Sequence, residues 1–413
     1  MATSLVMLLD HPDYHPVRRS ADVVVDRLTG ERVPLPAALS FLSSVLVAFG
    51  VGLVVVTLWI LLSPRAAART SRREHLAARE RARTVVQRYG GDTLDYFALR
   101  NDKQWFFLGE SVVAYAVRTG VCLVSPDPIG PPAERGEVWT AFTRYAADHG
   151  WSVAVVAAAE EWLSYYRSAG MRPLYLGDEG VVDCTTFTLQ GRSMKSLRAA
   201  HNRVMRAGYR ATFHDPSTLS AELRESLVPL LSQSRRGERE RGFSRTLSRL
   251  FDPADTGLLL AVAEHEEGSA RAFIHWVSAA SIDGWSLDVM RRSTAPDAPN
   301  GLTHFLVIET IKRIASEGGR GPGLNFAVLR TVVAGEGEGW VGRLGQPLLG
   351  RVTTDSQVAS LWKFNAKYDP SWRPRYLVVD SLEFALTQGV VVAEAEGLEE
   401  VPLVGRFLGR ART

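Results

Sequence analysis

The hydrophobic and polar positions divide the chain into one long uncharged run near the N-terminus and a mixed remainder. Residues 37–62 contain no charged side chain. About 20 mainly apolar residues are enough for a helix to cross the hydrocarbon core of a bilayer. The apolar part of a secretory signal peptide spans only ~7–15 residues close to the start of a chain. The pattern therefore predicts one transmembrane helix over residues 37–63.

Arginines are unevenly distributed around this run. Residues 64–83 contain seven arginines, whereas residues 19–38 contain three. Because the flank that is richer in Lys and Arg stays in the cytoplasm, we expect residues 1–36 to form an extracytoplasmic tail. The rest of the chain is then cytoplasmic, in a single-pass protein of the cell membrane. Residues 64–90 are expected to form a basic juxtamembrane helix and linker, with arginines against anionic headgroups.

Beyond residue 90 the chain alternates between strand and helix patterns. Alternation with a period of two predicts strands, and apolar residues three or four positions apart predict helices. The predicted strands cover residues 105–108, 112–118, 121–125, 152–157, 258–265, 270–279, 285–291 and 324–329. The predicted helices cover about 134–149, 160–168 and 302–317. Antiparallel strands followed by strand–helix–strand units indicate a mixed α/β fold, of the α+β kind.

A short motif occurs twice in this order of elements. Residues 162–176 read WLSYYRSAGMRPLYL, and residues 361–377 read LWKFNAKYDPSWRPRYL. Each copy has an aromatic helix and a turn that lead into Arg-Pro-x-Tyr-Leu. Because the copies stand at the same place in two similar strand–helix orders, they indicate a duplication. We expect a first domain over 91–190, a second domain over 191–390 that carries the site, and a C-terminal tail over 391–413.

The composition argues against several kinds of site, but the net charge does not indicate a binding partner. The 48 basic and 45 acidic residues give a net charge of +3, so local clusters of charge are more informative than the total. The two cysteines, Cys122 and Cys184, have neither a Cys-x-x-Cys spacing nor a nearby His pair, which argues against a disulfide scaffold or a zinc site. The sequence also lacks a Gly-x-Ser-x-Gly nucleophile motif. It predicts no metal and no bound cofactor.

Two basic segments are candidates for binding phosphate. Lys195, Arg198 and Arg206 recur at helical spacing and share one face, which is either a solvated surface or a contact to tRNA or lipid phosphate. In the second segment, residues 363–376, cations alternate with aromatic residues. A phosphodiester is a suitable counterion for such a cluster. Its candidate ligands are Lys363, Lys367, Arg373, Arg375 and Tyr376.

Asp288 stands in the apolar strand WSLDVMRR, over residues 285–292. It is a candidate for acid–base chemistry or, alternatively, an ion-pair partner of Arg291 or Arg292. The loop after this strand, RRSTAPDAPNG, is long and contains two prolines. Prolines lack the amide donors with which a short glycine-rich loop holds pyrophosphate. This loop argues against acetyl-CoA as a cofactor or donor.

Several motifs, in their order and spacing, resemble those of phosphatidylglycerol lysyltransferases. They are GRSMKSLRAAHNRVMRAGY (191–209), ERGFS (240–244), WSLDVMRR (285–292), NGLTHFL (300–306), LNFAVL (324–329) and KFNAKYDPSWRPRYL (363–377). Together with YYRSAGMRPLYL, the resemblance implies two tandem GNAT-like acyltransferase domains, an aminoacyl-tRNA donor and phosphatidylglycerol as the acceptor. It also implies a central catalytic role for Asp288. Arg291 is a candidate contact for the oxyanion, Glu240 and His304 are the next catalytic candidates, and Arg292 and Asn325 are candidate substrate contacts.

We therefore expect a membrane-anchored aminoacyltransferase that moves a lysyl or similar group from charged tRNA to phosphatidylglycerol. Two alternatives stay open. A Fem-like enzyme would instead transfer the amino acid to a peptidoglycan precursor, and a non-catalytic basic scaffold would bind membrane or RNA without reaction. His304 and Ala327 keep the scaffold alternative open, because they replace an acidic residue and a glycine that are usual in the family.

Overall fold

The computed structural model describes residues 49, 51–54, 71–233, 243–244, 246–247, 250–328, 357–381 and 385–396. The chain divides into two compact units, Met1–Pro64 and Arg65–Thr413. In the first unit, residues 49 and 51–54 are helical and exposed. The remainder of the predicted transmembrane helix over 37–63, and the predicted tail over 1–36, lie outside the described residues. Among the residues described, no helix is both long and apolar enough to cross a membrane.

An eleven-stranded sheet forms the centre of the second unit. The strands are β1 (Gln104–Leu108), β2 (Ser111–Arg118), β3 (Val121–Val124), β4 (Ser152–Ala159), β5 (Arg172–Val181), β6 (Tyr209–His214), β7 (Leu259–His265), β8 (Ala270–Ala279), β9 (Gly284–Arg292), β10 (Pro322–Val328) and β11 (Ser371–Val379). They lie in the order β1-β2-β3-β4-β11-β5-β10-β9-β8-β7-β6. The pairs β3–β4 and β9–β10 are parallel, and the others are antiparallel. Each predicted strand is confirmed, which supports the mixed α/β prediction.

The two copies of the Arg-Pro-x-Tyr-Leu motif meet in the middle of this sheet. β5 and β11 carry one copy each and pair antiparallel, with Tyr376 opposite Tyr175. The last strand of each predicted half has crossed to the other half, since β11 lies beside β4 and β5 lies beside β10. Strands from both halves thus form one sheet, and a domain boundary at residue 190 stays a prediction.

Successive side chains of a strand point to opposite faces of the sheet. Buried apolar side chains occur on both faces, and helices pack against both. The helices are α1 (Arg72–Tyr89), α2 (Arg135–Asp148), α3 (Leu163–Ser168), α4 (Lys195–Arg206), α5 (Ala221–Gln233), α6 (Leu302–Ser316), α7 (Gln357–Ala366) and α8 (Ala385–Ala395). On β7, Leu260 and Val262 pack towards α5, and Leu259 and Ala261 pack towards α6. We call the side of the sheet that packs against α5 the α1 face, and α1, residues 94–99 and α8 also pack on it. We call the opposite side, which packs against α6, the α6 face, and α2 and α4 also pack on it.

The basic segment before Gly90 is part of the folded core. Ser71 caps the start of α1, and the helix ends at Gly90 as predicted. Arg79 and Arg83 are buried, and both bind the buried carboxylate of Asp255, at 3.0 and 2.9 Å. α1 therefore packs into the fold, and its position next to a membrane stays a prediction. These two arginines have a protein counterion where we expected lipid headgroups, and a buried ion pair of this kind is costly to separate.

The predicted C-terminal tail also contributes to the core. α8 ends at Ala395, and its residues Val391 and Val392 are buried against the α1 face. Glu396, which follows the helix, is buried as well and accepts the backbone N–H of Ser244 at 2.9 Å. Residues 391–396 therefore belong to the folded domain rather than to a tail, and residues 397–413 lie outside the described part.

Candidate active site

A β-bulge in β9 brings two of the predicted catalytic residues to one face of the sheet. The pairing of β8 with β9 shifts here, so that His275 pairs with Val289 and the next residue of β8 pairs with Leu287. Asp288 is the extra residue, and a bulge re-aims side chains that a regular strand would alternate. Arg291 lies two residues beyond Val289, on the same side. Asp288 and Arg291 consequently both belong to the α1 face.

Asp288 is buried and accepts two hydrogen bonds. Its Oδ2 lies 2.8 Å from His275 Nδ1, and its Oδ1 accepts the Leu247 N–H at 2.8 Å. Because a carboxylate only accepts, Nδ1 donates in this contact, and in the tautomer that this contact selects Nε2 is the acceptor. Nε2 is buried and has no hydrogen-bond partner among the described residues. Asp288 is thus paired with a histidine of the neighbouring strand rather than with the arginines of the ion-pair alternative.

The end of the ERGFS motif and the residues after it are fastened to the same face at three points. The contacts are Ser244 N to Glu396 Oε1 (2.9 Å), Arg100 Nη1 to Thr246 O (2.7 Å) and Leu247 N to Asp288 Oδ1 (2.8 Å). Phe243 and Leu247 are buried in the core below. Asp288 therefore positions this segment as well as His275. Glu240, at the start of the motif, lies outside the described residues.

A buried lysine lies beside this segment. Lys103 is fully buried, and its Nζ donates to Ser125 O at 2.5 Å. The same nitrogen stands 4.5 Å from the centre of the Phe243 ring. Burial, with an added contribution from Arg100, lowers the pKa of Lys103 to about 7. A single lysine before a strand has no sequence pattern that would have identified it.

Arg375 lies in a buried ion-pair cluster on the α1 face. Its Nη2 donates to Glu179 Oε2 at 2.7 Å, to the Asp92 carboxylate at 2.9 Å and to Thr93 Oγ1 at 2.8 Å. The side chains of Arg375 and Glu179 are 3% and 0% exposed. Two protein carboxylates are thus the counterions of Arg375, where a phosphodiester was predicted. As folded here, Arg375 does not present a surface to a lipid phosphate.

His304 and the basic segment lie together on the α6 face. His304 Nδ1 is 2.6 Å from Tyr368 Oη, and Nε2 is 3.2 Å from Lys367 Nζ. The ring stacks on Phe364 with centroids 4.7 Å apart. Because the ammonium of Lys367 donates, Nε2 accepts and Nδ1 carries the proton. Burial, together with Lys367, lowers the pKa of His304 to about 4. A neutral His304 is suited to orienting Lys367 rather than to exchanging protons near pH 7.

The predicted basic face on α4 is largely open to solvent. Lys195 and Arg206 are exposed, and Leu197 and Val204 on the opposite side are buried. Arg198 is half-buried and donates to backbone carbonyls in the preceding loop. Two of the three predicted cations are therefore exposed to solvent, and the third fixes the entry to the helix.

The remaining predicted ligands are spread along the sheet. Arg292 and Arg373 are exposed, and Tyr376 is half-buried. Arg373 lines a polar cleft of about 190 Å³ together with Val181 and Arg320. The side chain of Asn325, in β10, lies outside the described part. The other residues around this cleft are Val182, Asp183, Ser281, Ile282, Asp283, Gly321 and Ser371.

The structure thus groups the predicted site residues on two faces and does not bring the groups together among the described residues. The α1 face has Asp288 and Arg291, and the α6 face has Lys363, Lys367 and His304. Sequence reasoning missed two buried polar residues of the α1 face, His275 and Glu179. The signal that was available is a polar residue at a position of a strand where core residues are expected, as with His275 in ARAFIHWVSA and Glu179 in RPLYLGDEGV. Within the described part of the chain, no group of three or more His, Cys, Asp or Glu side chains is arranged to hold a metal ion.

Comparisons with known proteins agree on one family. A family profile described as "Phosphatidylglycerol lysyltransferase, C-terminal" matches residues 83–379. The lysylphosphatidylglycerol biosynthesis bifunctional protein LysX of Mycobacterium ulcerans is 36% identical over 330 residues, which is 78% of this chain and 30% of that protein. The protein of the same name from Mycobacterium avium is 33% identical over 395 residues, which is 93% of this chain and 33% of that protein. The chain spans about a third of the length of these curated relatives.

A solved structure gives the same result for the fold. The structure of L-PGS from Bacillus licheniformis matches with a TM-score of 0.68 and 25% sequence identity. The match covers 78% of this chain and 97% of that chain.

Proposed function

From the premise that this chain belongs to the phosphatidylglycerol lysyltransferase C-terminal family, we propose that it transfers an aminoacyl group, lysyl or similar, from charged tRNA to phosphatidylglycerol. The observation that carries the proposal is the family match over residues 83–379, because it spans the buried His275–Asp288 pair and the ion-pair cluster. Within this range His275 Nε2 is buried without a hydrogen-bond partner among the described residues, and such atoms are uncommon in folded proteins, where a catalytic role is one of their explanations.

The reaction exchanges one ester for another, so it requires no ATP. A glycerol hydroxyl of the lipid attacks the ester carbonyl of the aminoacyl-tRNA and passes its proton to a base. The tetrahedral intermediate then collapses, and the ribose oxygen of the tRNA leaves and receives that proton. The net change is the movement of one acyl group, and the step needs a base and a stabiliser of the oxyanion.

His275 is the proposed base, and Asp288 is its positioning residue. Nε2 is the ring nitrogen without a partner among the described residues, and Asp288 holds the other nitrogen in its protonated form at 2.8 Å. This is the division of roles that a histidine–carboxylate pair has in acyl transfer generally. Arg291, brought to the same face by the bulge, is the proposed contact for the oxyanion.

The two exposed basic segments are the proposed contacts for the substrates' phosphates. Lys363 and Lys367 are both exposed, and His304 fixes the Lys367 ammonium at 3.2 Å, which favours a phosphodiester of the lipid as their ligand. Lys195 and Arg206 on α4 are the proposed tRNA contacts. No acetyl-CoA is expected, because aminoacyl-tRNA is the proposed donor.

We also propose that residues 37–63 anchor the enzyme in the cell membrane, with the catalytic part in the cytoplasm. The uncharged run over 37–62 and the arginines that follow it support this topology. The exchange of β5 and β11 between two similar halves supports two tandem GNAT-like domains. An alkaline phosphatase fusion at Thr413 should be inactive in cells, and an active fusion would contradict the proposed orientation.

The test is mass spectrometry of polar lipids from a bacterial host, deficient in aminoacylated lipids, that expresses the full chain. We expect aminoacylated phosphatidylglycerol with the wild type and its loss with His275→Asn. The matched control is His265→Asn, because His265 is a surface histidine next to Glu267. An unchanged lipid profile with the wild type would reject the lipid as acceptor. An aminoacylated peptidoglycan precursor in its place would support the Fem-like alternative, and neither product would support the scaffold.

A further inference from the structure

One buried segment links the first half of the fold to the proposed reaction centre. We call it the strap, and its described residues are Phe243, Ser244, Thr246 and Leu247. At one end, the Leu247 N–H donates to Asp288 Oδ1 at 2.8 Å. At the other end, the centre of the Phe243 ring lies 4.5 Å from Lys103 Nζ. A change at Lys103 can therefore reach Asp288, and through it His275, along the strap.

The strap closes the space over Lys103. Lys103 and Phe243 are both 0% exposed, and Lys103 Nζ donates to a carbonyl oxygen, Ser125 O, rather than to a carboxylate. An ammonium that is taken out of water needs an opposite charge within hydrogen-bond distance. The face of an aromatic ring also attracts a cation, but by less than the hydration that burial removes. An uncharged amine therefore fits this position better than an ammonium does.

The charged groups around Lys103 balance one another without it. Those that face its amine or the ring above it are Arg100, Asp102, Arg118 and Glu396. Asp102 binds both of these arginines, at 2.8 and 3.4 Å, and Glu396 accepts a backbone N–H of the strap at 2.9 Å. The charge of an ammonium at Lys103 would thus be in excess. Consistent with this, burial, with an added contribution from Arg100, lowers the pKa of Lys103.

Opening of the strap would return Lys103 to water, so the position of the strap and the protonation of Lys103 are linked. The pKa of a lysine in water is about 10.4, whereas the pKa of Lys103 under the closed strap is about 7. Because the open strap binds the proton more tightly, the closed strap is favoured as the pH rises and the open strap as it falls. The ratio of open to closed strap should rise ten-fold or more from about pH 9 to about pH 7.

We propose that Lys103 is a positioning residue for the transfer, because as an uncharged amine it allows the strap to close. The closed strap holds the Leu247 N–H on Asp288 Oδ1, and Asp288 in turn orients His275. Protonation of Lys103 opens the strap and removes this support from the proposed base. Lys103 itself touches no substrate and acts through Phe243 and Leu247. The inference rests on the proposed roles of Asp288 and His275 in the transfer.

The first test is hydrogen exchange of the Ser244 and Leu247 amides, measured by mass spectrometry on the full chain in detergent. After correction for the intrinsic exchange rate, their protection in the wild type should fall about ten-fold or more from pH 9 to pH 7. Lys103→Met has no charge, so protection should be high at both pH values. Lys103→Arg is charged at both, so protection should be low at both. Lys312→Met is the matched control and should behave as the wild type, since Lys312 is an exposed lysine of α6.

The second test is the rate of transfer near neutral pH, which separates positioning from a requirement for the positive charge. Lys103→Met should keep the kcat of the wild type. Lys103→Arg preserves the charge but should lower kcat about ten-fold or more, because the hydrogen bond from Leu247 to Asp288 is lost. The KM values for tRNA and lipid should not change in either variant. If Lys103→Arg does not fold, the pH dependence of protection in Lys103→Met decides alone.

The inference is overturned if protection of the strap in the wild type is independent of pH, or if Lys103→Met keeps the pH dependence of the wild type. A folded Lys103→Arg protein with the kcat of the wild type would also overturn it. Because exchange is measured without substrates, its outcome is separate from that of the proposed function. Protection that depends on Lys103, in a protein that forms no aminoacylated lipid, would support the link between Lys103 and the strap and reject the function. Aminoacylated lipid formed by a protein whose strap is insensitive to pH would support the function and reject the role of Lys103.

Discussion

Replacing Asp288 tests whether it acts through His275. In Asp288→Ala, the His275 Nδ1–H and the Leu247 N–H, which both donate to this carboxylate at 2.8 Å, lose their acceptor. Each buried donor without a partner costs about 1–3 kcal/mol, so the free energy of unfolding should fall by roughly 2–6 kcal/mol. That is a large share of the ~5–15 kcal/mol of a typical domain.

Asp288→Asn should separate stability from catalysis. The amide oxygen can still accept from Leu247, and the amide NH₂ can donate to His275 Nδ1 if the ring proton moves to Nε2. The loss of stability should therefore be only ~1 kcal/mol. The same shift of the proton removes the acceptor at Nε2, so transfer should fall ~10²–10⁴-fold.

Urea unfolding followed by tryptophan fluorescence measures the first effect, and single-turnover transfer from charged tRNA measures the second. The control is Asp297→Asn, because the Asp297 side chain is 64% exposed and its ion pair with Arg271 lies at the surface. Surface pairs contribute about 0–1 kcal/mol. Full transfer activity in Asp288→Asn, or an Asp288→Ala protein as stable as the wild type, would refute this reasoning.

Three further predictions follow from other contacts. Because the pKa of Lys103 is lowered to about 7 in the folded state, the unfolded chain binds more protons than the folded chain above this pH, and Lys103 makes the free energy of unfolding rise from pH 7 towards 10. Urea unfolding of Lys103→Met should lack this rise. A pH dependence equal to that of the wild type would contradict the lowered pKa. Asp255→Ala should lower the free energy of unfolding by about 3–5 kcal/mol, because it leaves buried Arg79 without its carboxylate. A loss below about 1 kcal/mol would show that other contacts hold α1 in place. The double variant Lys363→Ala, Lys367→Ala should keep its thermal stability and raise the apparent KM for phosphatidylglycerol about ten-fold or more, and an unchanged KM would assign these lysines to another ligand.

The local sequence patterns predicted most of the strands and helices, but they did not predict which distant strands pair with each other. Strands such as β8 follow the two-residue alternation that places one side in the core, and α6 follows the helical period. The exchange of β5 and β11 is decided by contacts between residues about 200 positions apart, as in the pairing of Tyr175 with Tyr376. No local pattern specifies such a pairing. The same applies to α1, whose buried Arg79 and Arg83 bind the distant Asp255.

The strand position of Asp288 agrees with the sequence prediction, whereas contacts between residues that are remote in sequence were not predicted, and the catalytic roles stay predictions. Asp288 was found by its motif, but its contact to His275 depends on a bulge that alternation does not reveal. Arg375 was assigned to a phosphate because its own segment contains few acids. Its actual counterions, Asp92 and Glu179, lie 283 and 196 positions away along the chain. Charge counted within a segment therefore misjudges a cation that the fold places beside distant carboxylates.

The most direct test of the proposed function is transfer by the purified chain in a defined system. The full chain is incubated with lysyl-tRNA and vesicles that contain phosphatidylglycerol, and the extracted lipids are measured by mass spectrometry. We predict lysylphosphatidylglycerol in amounts that depend on the enzyme, with none from vesicles of phosphatidylcholine alone and at least a hundred-fold less from His275→Asn. Loss of the lysyl group from tRNA only at the rate seen without enzyme, with no aminoacylated lipid, would contradict the proposal.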